Sequence, residues 1–440
     1  MRLPSLPSGL LALAAAGCGA PDLRSVTPAQ LFGGGDELSP NRDRVLTGTL
    51  TDDTTLDSSE PWVLDGVVFV GDDDHPVELV VDAGTLIYGN PTTRGTLVVS
   101  RGSRIVAEGT PSQPIVFTSP RARGARSPGD WGGVVIDGRA PINGCPDAPC
   151  EADGEGGTGT YGGDEPDDDS GTLRYVRIEY AGALYTPEDE LNGLALQGVG
   201  RGTTIDHVQL HVTADDGIEF FGGTVDVSHV VVTGAGDDSF DWTGGWSGRA
   251  QFVVLQQHPA AGDKGIEADN NEDDHGSTPR SHPVISNLTL VGPPGATTAV
   301  LLRRGTAATV TNSIVAGFEV GADVQDELTW DNAFDPTGTP TGEIAFTSTW
   351  FDCGTAYGAT TWDVQTVETL VGADPTIVLG DPGLAAPTDV DAPDWRLEAG
   401  SPALTGAVAP GDPWFEGTSY VGAFDADEDW TAGWTTGGTN

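Results

Sequence analysis

Positive charge is scarce in this chain. Lys and Arg total 20 against 66 Asp and Glu in 440 residues, and Lys264 is the sole lysine. A formal charge of −46 repels polyanions, which argues against nucleic acid or an anionic membrane surface as partner and leaves cations, neutral glycans or basic partners. Long apolar runs are missing as well. No stretch of about 18 apolar residues exists, so no helix is expected to span a bilayer and transport across one is not the expected function. Amphipathic helical periodicity of useful length is also absent, which excludes helical solenoids and βαβ units. Glycine (63) and proline (31) are plentiful, yet 37% of the residues are hydrophobic, enough to bury a core.

At the N-terminus Arg2 precedes the apolar run Leu10-Leu11-Ala12-Leu13-Ala14-Ala15-Ala16, too short for a mature span and the right length for a secretory signal. The run ends in Ala15-Ala16-Gly17-Cys18, which resembles the bacterial lipobox, although Ala15 stands where leucine is usual. This predicts a lipoprotein signal peptide over 1–18 with Cys18 acylated, a flexible tether over 19–44, and a folded body over 45–440. A plainly cleaved signal is the alternative. Gly19 is not the aspartate that retains enteric lipoproteins at the inner membrane, so the expected place is the outer membrane, on its periplasmic or cell-surface face. In an oxidising compartment Cys145 and Cys150 are expected to form a disulfide. A metal site there needs two more ligands, which no nearby His or Cys supplies. Cys353 is left unpaired.

Three segments share one pattern. Ile205-Asp206-His207-Val208-Gln209-Leu210 is followed by Asp215-Asp216-Gly217-Ile218-Glu219-Phe220. Val227-Ser228-His229-Val230-Val231-Val232 is followed by Asp237-Asp238-Ser239-Phe240-Asp241-Trp242. Phe252-Val253-Val254-Leu255 is followed by Asp263-Lys264-Gly265-Ile266-Glu267-Ala268. The period is 22 and then 26 residues, with short strands joined by turns that lack Asn-Gly hairpin spacing. Such a period predicts an all-β fold, a single right-handed parallel β-helix with inserted loops at 143–170, 257–283 and 325–345. His207 and His229 hold one column, which Asn287 and Asn312 continue, and its expected role is structural. The segment from Pro61 to Gly89 is expected to form the first coils. Trp395 to Leu404 and Tyr420 to Phe424 read as last strands, with Trp414, Trp430 and Trp434 capping the end.

Gly95 to Thr118 with Gly129-Asp130-Trp131-Gly132-Gly133-Val134 resembles the opening coils of the pectin-lyase-like superfamily. Tyr161-Gly162-Gly163, the run Ser170 to Gly182, Asn192-Gly193-Leu194, Asp215-Asp216-Gly217, Gly236-Asp237-Asp238 and Gly265 to Asn270 are similar to exported bacterial β-helix lipoproteins and surface proteins, a group with no settled activity. The likeness covers roughly residues 60 to 435 and implies fold and setting. The superfamily also includes enzymes that cut acidic polysaccharides, and Gly236-Asp237-Asp238-Ser239 resembles the paired aspartates of its pectin hydrolases. The Gly-His-Gly and Arg-Ile-Lys of that site are missing.

Alternation places Ile218 and Phe220, Phe240 and Trp242, and Ile266 and Ala268 inward, so Glu219, Asp241 and Glu267 fall in an outward column. Like charges one rung apart, about 4.8 Å, repel by several kcal/mol at an effective dielectric near 20. A cation, a protonated carboxyl or a neighbouring Arg or Lys must relieve that, and Arg303 and Arg304 are the ion-pair candidates. A second column holds Asp215, Asp237 and Asp263, with Asp216 and Asp238 beside it and Lys264 in the equivalent third place. Asp215, Asp237, Glu219, Asp241, Asp263, Glu267 and Asp269 are therefore candidate ligands of Ca²⁺, which takes six to eight oxygens. Solvated turn residues are the plain alternative. Trp246 is the candidate for stacking on a sugar ring. The expected function is a non-enzymatic, lipid-anchored surface protein that binds Ca²⁺ and a glycan or surface partner through its acidic face. The alternative is a polysaccharide hydrolase with its acid and base among Asp215, Asp216, Glu219, Asp237, Asp238 and Asp241, or less readily a lyase with Lys264 or Arg303 as base beside bound Ca²⁺.

Overall fold

The computed structural model describes residues 42–146, 149–186, 189–259 and 261–438. The predicted signal peptide, Cys18 and nearly all of the tether lie outside them. Within the described residues the chain forms one 24-stranded sheet, wound on itself as a right-handed parallel β-helix. The first strand, Val45–Leu50, pairs in parallel with Trp62–Val70, so the winding begins one coil before Pro61.

Three parallel ladders make the walls. One runs through Glu78–Val81, Arg104–Glu108 and the first halves of Gly171–Glu179, Thr204–His211 and Val227–Thr233. The second uses the other halves of those long strands. The third contains Gly133–Asp137, Leu194–Gln197, Ile218–Phe221, Phe240–Thr243, Lys264–Ala268 and Thr298–Leu302. Val, Ile, Leu and Phe from all three walls fill the interior; Val208, Ile218, Phe220, Val230 and Trp242 are each 0% exposed. Because all three walls face one core, each strand alternates around it.

A single left-handed residue lets one strand serve two walls. Tyr175, His207, His229, Phe252, Asn287, Asn312 and Ser348 all have φ between 49° and 57°. The register skips the kink, with Asp206 opposite Ser228 and Val208 opposite Val230. Asn and His are among the non-glycine residues that tolerate this region best. Neighbours in the column then stack, and the His207 and His229 rings lie 4.2 Å apart at 15°.

The 143–170 insertion contains an antiparallel hairpin, Cys150–Asp153 with Thr160–Gly163, clasped by the Cys145–Cys150 disulfide. The 325–345 insertion contains the short helix Glu327–Ala333, and a second helix occupies Val367–Val371. Sequence periodicity missed both because neither exceeds two turns. Cys353 is free and half-buried, its thiol pushed up to about 11 by burial. None of the described helices is long and apolar enough to cross a membrane.

The C-terminal expectation needs correction. The last strand of the winding is Val378–Leu379, and Asp394–Leu397 pairs only with Leu384–Ala386, antiparallel. Residues beyond 380 lie along the flank of the helix, over the left-handed corner, and do not cap its end. Gly406 O accepts from Ser348 Oγ at 2.7 Å, Val408 bonds both ways with Asn312, Gly422 O accepts from Asn287, and Trp434 packs edge-on against Tyr175. The corner side chains present polar atoms and ring faces sideways, and a polar, Trp-bearing segment satisfies them.

Candidate functional site

Glu219, Asp241 and Glu267 occupy one column of the third wall in direct register. Ala195 precedes them and Leu301 follows, so the three acids form an unbroken run of rungs, and Asp323 takes the same place one rung after Leu301. The turn ahead of each strand adds a second row. Gly217 brings that turn hard against the core, since a Cβ there would lie 2.3 Å from Val232 Cγ1. Asp216 Oδ1 accepts from the Asp238 backbone N–H at 2.9 Å, and Asp238 Oδ1 accepts from the Lys264 N–H at 2.5 Å, so each aspartate pins the next rung.

The two rows line a cleft of about 390 Å³. Glu155 from the disulfide-clasped insertion, Glu190 and Glu272 extend its acidic wall, with Phe221 and Thr243 at one side. Glu155 and Glu190 escaped the sequence reading because they come from insertions outside the repeat. Four carboxylate triads place oxygens within 4.8 Å of one another: Asp215, Asp216 and Asp237; Asp216, Glu219 and Asp241; Asp237, Asp238 and Asp263; Asp238, Asp241 and Glu267.

The two ends of the cleft are neutralised differently. At the far end Arg303 pairs with Glu267 and, at 2.8 Å, with Asp269, while Arg304 pairs with Asp269 at 2.7 Å and Glu272 at 3.1 Å. Glu267 and Asp269 are thus ion-pair partners first. Lys264 Nζ pairs with Asp263 and lies 3.5 Å from Glu267. The lysine pKa is raised by these acids against an opposing burial effect, so Lys264 is a held cation and a poor base. Asp263 is exposed on the rim and does not line the cleft.

At the near end, Asp215, Asp216, Glu219, Asp238 and Asp241 make no ion pair among the described residues. Glu219 keeps one hydrogen bond, from Asn192 Nδ2 at 2.5 Å. Burial first, and like charge second, pushes Asp215 up to about 8 and Asp238 up to about 8. The same causes push Asp216, Glu219 and Asp241 well above the ordinary carboxylate range. Asp237 and Glu267 are raised by burial, and Arg303 and Lys264 counter part of the effect.

A family model for the pectate-lyase-like β-helix domain matches residues 48–377. The chain belongs to that family. Among solved structures, this pectate-lyase-like β-helix is similar to pectate lyase Pel9A, with 12% identity, a TM-score of 0.39, and 87% of this chain and 88% of that chain covered. It is also similar to the Dettilon tailspike protein, with 11% identity, a TM-score of 0.22, and 77% and 62% covered. Comparison with curated proteins gives no significant match.

The aromatic part of the expected site fails in this β-helix. Trp246 is 0% exposed, stacks on Phe220 with ring centroids 3.9 Å apart, and donates Nε1–H to Val225 O. It is core and cannot stack on a sugar. The Gly244-Gly245-Trp246-Ser247-Gly248 context suggested an exposed turn, but the ring folds inward from it. Trp131 and Trp242 are also fully buried.

Proposed function

We propose that this pectate-lyase-like β-helix is a non-enzymatic, exported surface protein that binds Ca²⁺, or a hard cation like it, in its acidic cleft and meets a surface partner there. One observation carries the reading. Asp215, Asp216, Glu219, Asp238 and Asp241 converge in a partly desolvated cleft with no ion-pair partner among the described residues, while the acids one rung on are matched by Arg303 and Arg304. Buried like charges of this density are costly unless a cation or protons neutralise them. The donors are all oxygen, which suits Ca²⁺. Lipid anchoring through Cys18 and display at the outer membrane belong to the same proposal. Glycan recognition loses its aromatic platform with Trp246, so the partner is expected to be met through the bound cation and the carboxylates.

Against lyase chemistry stands the engagement of both nearby bases, Lys264 and Arg303, in ion pairs. The test is calorimetric titration of the chelator-treated protein with Ca²⁺, beside assays for reducing ends and unsaturated products on a panel of polysaccharides. Binding is expected in the wild type and at least tenfold weaker in Asp241→Asn, with no turnover. At one hundred times Kd, Ca²⁺ would add about 2.7 kcal/mol of stability. Unchanged melting with Ca²⁺ would sink the cation site. Turnover lost in both Glu219→Gln and Asp241→Asn would make the protein an enzyme.

A further inference from the structure

Beside the acidic cleft, on the same wall but two rungs earlier, lies a different arrangement. Asp137 ends the Gly133–Asp137 strand and stands opposite Gln197 at the end of Leu194–Gln197. Both residues are 1% exposed. Among the described residues neither oxygen of the Asp137 carboxylate has a hydrogen-bond partner, and neither has Gln197 Oε1. Three buried acceptors in adjacent register therefore lack a donor among the described residues. Most buried polar atoms are paired, and an ionised carboxylate left without partners costs several kcal/mol.

The disulfide-clasped hairpin covers this spot with bare glycine backbone. A Cβ on Gly154 would lie 2.4 Å from Gln197 Oε1 and 2.3 Å from Thr158 Oγ1, and one on Gly159 would lie 3.2 Å from Asp137 Oδ2. Arg101, the cation whose field reaches Asp137, is already held by Asp73, Glu151 and the Gly162 carbonyl. What the acceptors lack is positive charge, and the hairpin over residues 150–163, which has no Lys or Arg, does not bring it.

We propose that Asp137 and Gln197 hold a Ca²⁺ ion beneath the hairpin, separate from the ions of the cleft. Asp137 supplies two carboxylate oxygens and Gln197 an amide oxygen, a hard donor set that water completes. The ion ties the hairpin to the helix wall. Since Glu155 of that hairpin lines the cleft, the second site fixes one wall of the first.

The competing way to remove the charge is a neutral Asp137 that donates its proton to Gln197 Oε1, and two variants separate the cases. The full chain, Asp137→Asn and Gln197→Glu are each titrated with Ca²⁺ by calorimetry at pH 7, and amide exchange of residues 150–163 is followed with and without the ion. The expected result is one Ca²⁺ equivalent fewer in Asp137→Asn than in the wild type. Ca²⁺ slows exchange across 150–163 in the wild type and not in Asp137→Asn. Gln197→Glu, with a second carboxylate, binds that ion about tenfold more tightly. Wild-type stoichiometry in Asp137→Asn, or exchange of 150–163 that ignores Ca²⁺ in both wild type and Gln197→Glu, overturns the proposal. Should Asp137→Asn fail to fold, the Gln197→Glu response decides alone. Asp241→Asn, which alters only the cleft, keeps the Ca²⁺ response of 150–163, so failure of the cleft reading and failure of this one give different results.

Discussion

Burial, with like charge second, pushes Asp215 and Asp238 up to about 8 in the folded chain, far above the ordinary carboxylate range, and Asp216, Glu219 and Asp241 shift the same way. A folded-state pKa above the unfolded one means that the native form binds more protons across the interval between them. Stability then falls as pH rises through it. In chelator, melting is expected to drop steadily from pH 5 to pH 8.5. Under the proposed Ca²⁺ binding, saturating ion should take the place of the protons and flatten that drop, and apparent affinity for it should rise with pH. A melting temperature that rises with pH in chelator would contradict the whole electrostatic account. At this scale the sequence was a good guide to direction and a poor guide to depth. Alternation put Glu219, Asp241 and Glu267 outward, and register confirms it. Alternation says nothing about residues in turns, which is why Trp246 was misplaced.

The unit that repeats is a coil, and its corner carries as much information as its strands. His207, His229, Asn287 and Asn312 were legible as a column because the repeat aligned them. Tyr175, Phe252 and Ser348 share the same left-handed backbone but not a side-chain type, so composition hid them. Asn312 both donates to and accepts from Val408 at 2.9 and 2.8 Å. Asn312→Ala removes both bonds, leaves part-buried peptide groups of Val408 unpaired and puts a less tolerant residue at positive φ. It should cost about 2–3 kcal/mol, read from denaturant midpoints. A loss below about 0.5 kcal/mol would mean the flanking segment is held elsewhere. The insertions were located by their Asp- and Gly-rich composition, but their architecture was not. The hairpin pairing and the reach of Glu155 into the cleft depend on contacts far apart in sequence, which periodicity cannot report.

Fold class was readable in full because a solenoid is a local rule repeated, and the family match at 48–377 ends where the winding ends. The tail was misread for the same reason. Its Trp and Tyr look like strand or cap residues, and only the vertical column they cover explains them. The predicted lipid anchor is a property of the whole chain and is checked on it. Expressed with its N-terminal segment, the protein should enter the detergent phase on partitioning, and Cys18→Ser should return it to the aqueous phase. Wild-type protein in the aqueous phase would rule out acylation.

The residues beyond 380 touch corners from Ser348 back to Tyr175. A solenoid whose coils meet only their neighbours can open one turn at a time from an end. Here the tail acts as a splint laid across many turns at once, so peeling off the last coil first requires lifting a strip fastened to coils far inside. The molecule should therefore come apart in one cooperative step, holding the acid-bearing rungs in register until the splint itself lets go.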